Sequence, residues 1–497
     1  MTKSSITGIN INWPHDSVHG YLQQVMKEFH YLYSVCQHPP QETGVLKYMS
    51  EVFICRGGSG SGGGGIWNGY AKVLEYKVFT VAGSNGFNMP FNIVNNKVDV
   101  FVYGAGGSGS MNTYNNEYAG GGGGWMNRMY NISLIPGKIY NIFVGKGGQT
   151  TDEIYGSQGY TTGFSPGGSS FFDNFVSANG GSYGYGGVGG RGGSGGAGTF
   201  GGGDAYQFGG GGVLYNSDAD NALRLIDNGL LKGGQGGVWG GGGGSRFSNG
   251  GDGGYYGGGG GTSRASNSDL VYLHSATGGN GGYYGGGGGS INNIALGGLY
   301  FDNGAWKQSG YGGNGGNMTI EGENGTNTIG YTNFKAFTDE GFDEVNVNMS
   351  GNAISTKCSD GNKAFSSGGG GYGGNGGSSN SNLISYQDSS SRGCGGGGGY
   401  GGNGAKGYDD YYMTPFPGGG GGGFGSNGDA HGGGGGYWHE GTLTSGGGGV
   451  LRIPNSNKYD TYIFGWGGQA SNNSGGNGGD GIVVLRYYKW VDPRNPT

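Results

Sequence analysis

The chain has 497 residues, of which 136 are glycine and 11 proline, and its formal net charge is −6. A hydrophobic share of 33% is too low for one compact core to run the whole length, so much of the fold must rest on backbone hydrogen bonding. The acidic balance gives no electrostatic case for nucleic acid, and the two RGG triplets at 56–58 and 191–193 are too few for an RNA-binding arginine–glycine domain.

Four cysteines (Cys36, Cys55, Cys358, Cys394) lack CxxC spacing and show no disulfide framework, which reads as free or buried thiols. The start lacks a basic segment followed by an apolar stretch, and no apolar run approaches the roughly 18 residues of a membrane span. The expectation is a protein made without a signal peptide and without membrane insertion.

In chain order, residues 1–50 stand apart in composition. Asp16 or Ser17 offers an N-cap, and Val18, Leu22, Val25, Met26, Phe29, Leu32 and Cys36 follow at spacings near three and four. His38-Pro39-Pro40 stops the pattern. The spacing predicts one amphipathic helix over 17–37, too small to fold alone. It either packs on its own chain or anchors the protein to a larger assembly.

Strand signals follow at 51–55, 76–81, 97–103, 129–134, 138–144 and 169–177, with a Pro136-Gly137 turn between two of them. They return only at 459–465 and 481–490. Residues 51–180 and 450–497 therefore supply the two parts of one β-sandwich. The glycine-rich region 181–449 is inserted between them.

Within 184–203 the sequence reads GYGGVGGRGGSGGAGTFGGG, and Val188, Arg191, Ser194 and Ala197 are each separated by two glycines. A period of three fits neither an α-helix nor a strand. It fits the extended helix with three residues per turn and about 3.1 Å rise. The stretch 184–198 is predicted to be one left-handed extended helix in a bundle of polyglycine-II helices. A disordered low-complexity tract is the alternative, and low charge with 13% aromatic residues argues against it.

Two repeat types alternate through the insertion. Pure glycine runs lie at 209–212, 240–244, 257–261, 285–289, 368–371, 395–399, 418–423, 432–436 and 446–449. GGDGG or GGNGG segments lie at 250–254, 278–282, 312–316, 373–377 and 475–479. Pure runs are expected inside the bundle, where no Cβ fits. The Asn or Asp of the second type is expected at the rim, facing water, so that Asn375→Ala would be nearly neutral.

No HExxH, GxSxG, Walker or calcium-loop spacing occurs, so no catalytic residue, metal site or cofactor is expected and the protein is not read as an enzyme. Aromatics are the better clue. Tyr255-Tyr256 and Tyr283-Tyr284 sit inside repeats and are expected to stack over glycine ridges. The connections between glycine runs carry freer rings, and amphipathic rings on rigidly held loops suit binding. The longest connection, 317–367, holds Tyr331, Phe334, Phe337 and Phe342. Others hold Trp306 beside Tyr300 and Phe301, Tyr386, Tyr411 and Tyr412, and Trp438. These rings either form a partner-binding surface or fold back as lids over the bundle ends.

Several motifs recur here in a fixed order: an aromatic strand at 76–81, VDVFVYGAGGSG at 98–109, IPGKIYNIFVGKGG at 135–148, GGSSFF at 167–172 and GGNGGDGIVVLRY at 475–487. In this order the chain resembles glycine-rich domains of bacteriophage and large-virus appendage proteins. The insertion is similar to the tip adhesins of T-even-type phage tail fibres. A similar module occurs in receptor kinases of the anaplastic lymphoma kinase type, but the missing leader and disulfide pattern speak against that setting.

The resemblance implies a mainly β fold: a jelly-roll-like sandwich with an inserted polyglycine-II bundle, preceded by one helix. It also implies a non-enzymatic component of the virion surface or fibre. That component would join other virion or fibre proteins through the N-terminal helix and meet a host surface glycan or protein. A purely structural virion or tail protein is the alternative. An ice-binding role would need a flat Thr/Ala face, and the outward residues here are Asn, Asp, Tyr and Arg.

Overall fold

The strand-forming runs fold into antiparallel sheets, and among the described residues the helical content is one 3-10 turn at Val94–Asn96. The computed structural model describes 3–6, 9–12, 71–112, 117–155, 158–186, 188–197, 201–213, 232–245, 248–264, 276–290, 293–308, 312–315, 396–405, 420–423, 425–429, 433–436, 446–455, 458–464 and 476–491. Shorter pieces lie at 310, 323, 334–336, 345–347, 372, 375–376, 392–393, 441 and 467. The helix expected over 17–37 and the strand at 51–55 fall outside these residues.

In chain order, β1 (Lys3–Ile6) and β2 (Ile9–Asn12) form a hairpin. Then come β3 (Ala71–Phe79), β4 (Gly83–Asn88), β5 (Lys97–Tyr103), β6 (Ser110–Asn112), β7 (Glu117–Ala119), β8 (Met126–Ser133) and β9 (Ile139–Val144). They are followed by β10 (Thr150–Tyr155), β11 (Gln158–Phe164), β12 (Ser170–Phe172) and β13 (Val176–Ala178). Within the glycine-rich region lie β14 (Ser263–Arg264), β15 (Leu299–Asp302), β16 (Ala305–Gln308), β17 (Phe334–Ala336), β18 (Val345–Val347) and β19 (Arg392–Gly393). The chain closes with β20 (Gly449–Asn455), β21 (Lys458–Phe464) and β22 (Ile482–Val491). The run 97–103 matches β5, whereas 169–177 divides into β12 and β13. Strands β4, with its polar sequence GSNGFN, and β20 carry little alternation to announce them.

Two four-stranded sheets, ordered β3-β22-β5-β8 and β13-β12-β9-β4, face each other across the main core. Val98, Val100 and Val102 of β5, with Val483, Leu485 and Tyr487 of β22, meet Phe87, Tyr140, Ile142, Val144 and Phe172 from the opposite sheet. The other face of β5 and β22 is covered too. Phe101, Tyr103, Ile482 and Val484 pack with Phe208 and Trp239 of the glycine-rich region and with Ile453 and Tyr462 of the β20–β21 hairpin. Double burial explains why VDVFVY and IVVLRYY read as nearly continuous apolar runs. The charged pair on these strands is satisfied within the sheet: Arg486 Nη2 lies 2.7 Å from Asp99 Oδ2, directly across the β22–β5 register.

At the ends of β5 and β9 and the start of β22 the strands pass into glycine segments that bond to each other rather than extend the sheets. Gly106 N donates to Gly479 O, Gly148 N to Gly106 O and Gly478 N to Gly148 O, each at 2.8 Å. The network continues through Gly120 into the insertion. There Gly190, Gly196, Gly203, Gly211, Gly234, Gly243, Gly251, Gly260, Gly279 and Gly288 form one series. Each N–H after the first donates to the carbonyl of the preceding glycine in the series, at 2.8–3.0 Å. Pure runs from the first half pair with pure runs from the second: Gly241 N with Gly435 O, Gly258 N with Gly422 O and Gly286 N with Gly398 O, at 2.7–2.8 Å.

One expectation is corrected. The stretch 184–198 is not a single helix. Gly196 N bonds Gly190 O at 2.8 Å, and bends at 193–194 reverse the chain between them. Over so few residues a straight extended helix would hold these groups far apart, at about 3.1 Å of rise per residue. The residues after the reversal therefore form a separate, adjacent segment.

Candidate binding surface

The described parts of the pure runs are buried throughout, whereas Asp204, Asp252, Asn280, Asn314 and Asn427 are half-buried and Asn403 is exposed. These outer residues do more than face water, which corrects the expectation for the rim. Asn403 Oδ1 accepts the N–H of Asn375 at 2.8 Å, while the next residue, Gly404, donates its N–H to Asn375 O at 2.9 Å. One side chain and one backbone N–H thus hold both backbone polar groups of a single residue on the neighbouring segment.

The same two-point clamp recurs. Asn427 and Gly428 hold Asn403 at 2.9 and 3.0 Å, Asn280 and Gly281 hold Leu296 at 2.9 and 2.8 Å, and Asp252 and Gly253 hold Asn280 at 2.7 Å each. Asn249 with Gly250 holds Thr277 at 3.0 and 2.9 Å, and Asp204 with Ala205 holds Gln235 at 3.1 and 2.7 Å. A carboxylate serves as well as an amide because only an acceptor oxygen is needed. That accounts for the interchange of GGDGG and GGNGG.

At one end, turns carry the aromatic pairs. The outer-segment turns place Tyr206, Val238 and Tyr255 at the exposed surface, and each is followed by an inward-packed Gln207, Trp239 or Tyr256. Tyr255 stacks on Tyr283 at 5.3 Å and Tyr256 on Tyr284 at 5.2 Å, with the ring planes within 5° and 3°. Tyr400 meets Tyr256 and Tyr284 edge-on and stacks on Tyr372 at 5.1 Å. The duplicated YY pairs therefore stack on each other across successive turns, in the favoured parallel and T-shaped geometries, rather than over glycine ridges. Burial raises the pKa of Tyr400 and Tyr256, with the neighbouring phenols Tyr372, Tyr284 and Tyr256 adding to the effect on Tyr400. These hydroxyls stay protonated at neutral pH.

The β15–β16 hairpin is rooted in this cluster and projects from it. Tyr300 packs edge-on against Tyr283 at 5.3 Å. Asn303 and Gly304 form the two-residue turn, with φ 49° and 79°, the left-handed pair a tight hairpin requires. Trp306 lies directly across from Phe301, their rings edge-to-face at 5.4 Å, and the two are 70% and 62% exposed. Lys307 Nζ contacts Asp302 Oδ2 at 2.6 Å beside them. Polar groups thus flank an exposed aromatic surface.

Of the rings expected to bind, Trp306 stands on this hairpin and Phe334 opens β17, which pairs with β18. Tyr331, Phe337, Phe342, Tyr386, Tyr411, Tyr412 and Trp438 lie outside the described residues. Tyr372 and Tyr400 were not singled out in the sequence. Each directly follows a pure glycine run, as Trp239, Tyr256 and Tyr284 each precede one, and that position was the available signal. Among the described residues no three His, Cys, Asp or Glu side chains gather as a metal site would need, and no helix is long and apolar enough to cross a membrane.

No curated protein and no solved structure matches the chain. A family model described as a glycine-rich domain matches residues 80–305, from the end of β3 into the β15–β16 hairpin.

Proposed function

We propose that the chain is a non-enzymatic component of a virion surface or fibre that displays loops on a polyglycine-II scaffold for host attachment. In this reading 51–180 and 450–497 form a jelly-roll-like sandwich and 181–449 the glycine-helix bundle. A helical segment within 1–50 joins other virion or fibre proteins. The observation that carries the reading is the β15–β16 hairpin: two large exposed rings stand on a packed aromatic base at one end of a backbone-bonded array. The period of three, the enclosure of the pure runs and the hydrogen bonds on several sides of each segment all support the polyglycine-II part. The partner would be a surface glycan or an outer-surface protein, and the loop 317–367, with Phe334 and its neighbours, would add to the same surface.

The test is binding of the full chain to an array of immobilised bacterial and eukaryotic glycans and to outer-membrane preparations, beside Trp306→Ala. Trp306 is exposed, so the variant should melt as the parent does. Binding that falls about tenfold or more, the loss of about 1.4 kcal/mol, supports the attachment reading. Unchanged binding, or no binding by the parent, overturns it in favour of a structural virion or tail protein.

A further inference from the structure

Asparagine followed by glycine is the sequence at which a peptide chain most readily deamidates. The glycine nitrogen attacks the asparagine Cγ and loses its proton, and a five-membered succinimide closes. The side-chain nitrogen leaves as ammonia, and water then opens the ring to aspartate or isoaspartate. The reaction needs a free side chain and a free following N–H.

The clamp engages both groups at once. In Asn280-Gly281, Asn403-Gly404 and Asn427-Gly428 the side-chain oxygen accepts one backbone N–H while the glycine N–H donates to the carbonyl of that same residue. Attack at Cγ would break both bonds and force apart segments that are also joined by the glycines beside them. Asn303-Gly304 is placed differently. It forms the exposed turn of a hairpin with four-residue strands, and nothing among the described residues hydrogen-bonds the Asn303 amide or the Gly304 N–H. Short exposed elements open at little free-energy cost, whereas packed ones open only with their surroundings.

We infer that the clamp shields the glycine array from self-modification, and that Asn303-Gly304 is a deamidation site at the hairpin tip. The product carries a new carboxylate beside Asp302, competes for Lys307 and sits three residues from Trp306. The array keeps its chemistry while its displayed hairpin ages. The inference does not depend on the attachment reading.

The experiment is peptide mapping by mass spectrometry of the intact full-length chain held in mildly alkaline buffer, following the amide-to-acid mass change at each Asn-Gly pair. A parallel sample is held unfolded in guanidinium chloride at the same pH. In the folded protein Asn303 should react at least about tenfold faster than Asn280, Asn403 or Asn427, and in the unfolded chain the four rates should converge. Equal rates at Asn303 and the clamped residues in the folded protein would overturn the inference. A rate difference that persists in guanidinium would also overturn it, because neighbouring sequence rather than the clamp would then set the rates.

Discussion

Val100 in β5 and Gly258 in the glycine array are both enclosed, but by different kinds of neighbour. Val100 lies opposite Leu485 in the register and packs side chain to side chain in the core between two sheets. Gly258 gives its N–H to Gly422 O at 2.8 Å and takes one from Gly242 at 2.9 Å; a Cβ there would lie 2.2 Å from Gly397 O. The sandwich is stabilised by apolar area, about 1.5–3 kcal/mol for each large buried side chain. The array is stabilised by many bonds of about 0.5–1.5 kcal/mol net, and each glycine ordered costs about 0.5–1 kcal/mol more than alanine. A core of side chains can lose one group and relax around the gap. A core of backbone has no group to lose and no room to gain one.

The largest effect should therefore come from adding a side chain to the array. In Gly397→Val the first added carbon would stand 2.0 Å from Gly286 O, with backbone on both sides of the contact. The expected loss is about 4 kcal/mol or more, the range kept for severe packing faults, with the array melting before the sandwich in circular dichroism. Gly86→Ala in β4 is the control. Its Cβ meets only Ile139 Cγ2, at 3.5 Å, so little change is expected.

Removing a side chain from the sandwich should rank next. Leu485 is fully buried between the sheets, and Leu485→Ala should cost about 2–5 kcal/mol as transfer and cavity terms add. If Leu485→Ala destabilises more than Gly397→Val in matched melts, the contrast between the two regions fails.

A smaller, pH-dependent effect belongs to the tyrosines. Burial raises the folded-state pKa of Tyr400, Tyr487 and Tyr103 above the ordinary value of 10.0, and the carboxylate and hydrogen bond of Glu75 also act on Tyr487. Above that ordinary value the unfolded chain releases protons that the folded chain retains. Stability is thus fully present below pH 10 and declines as pH rises further toward the folded values. Melting followed from neutral pH into this range, with tyrosinate absorbance recorded, should show the fall and the late phenol ionisation together. Phenols that ionise near the ordinary value in the folded protein would refute the account.

The same contrast explains which features the sequence made legible. The runs at 97–103 and 481–490 are continuous because β5 and β22 are buried on both faces, and side chains record that burial. The period of three marks the glycine segments but not their ends. Glycine and serine allow a reversal anywhere, so GGRGGSGG reads alike before and after the bend at 193–194. Trp306 was legible as a ring in a connection. Its partner Phe301 across a two-residue turn, and the joining of Tyr372 and Tyr400 to the YY pairs, depend on contacts between distant segments.

The smallest expected effect tests the clamp directly. At Asn403 the rim reading predicts no cost for losing the side chain, because the residue is exposed. The clamp predicts a cost. Asn403→Ala leaves the Asn375 N–H without its 2.8 Å acceptor, and a single hydrogen bond at a solvent-accessible edge is worth about 1 kcal/mol. Asn403→Asp keeps an acceptor oxygen in the same place, as Asp252 does in its own clamp on Asn280. The expected order in thermal melts is therefore parent and Asn403→Asp nearly together, with Asn403→Ala below both. Hydrogen exchange at the Asn375 amide should accelerate in the alanine variant alone. If alanine and aspartate behave alike, side-chain acceptance contributes nothing and the backbone bond from Gly404 carries the contact by itself.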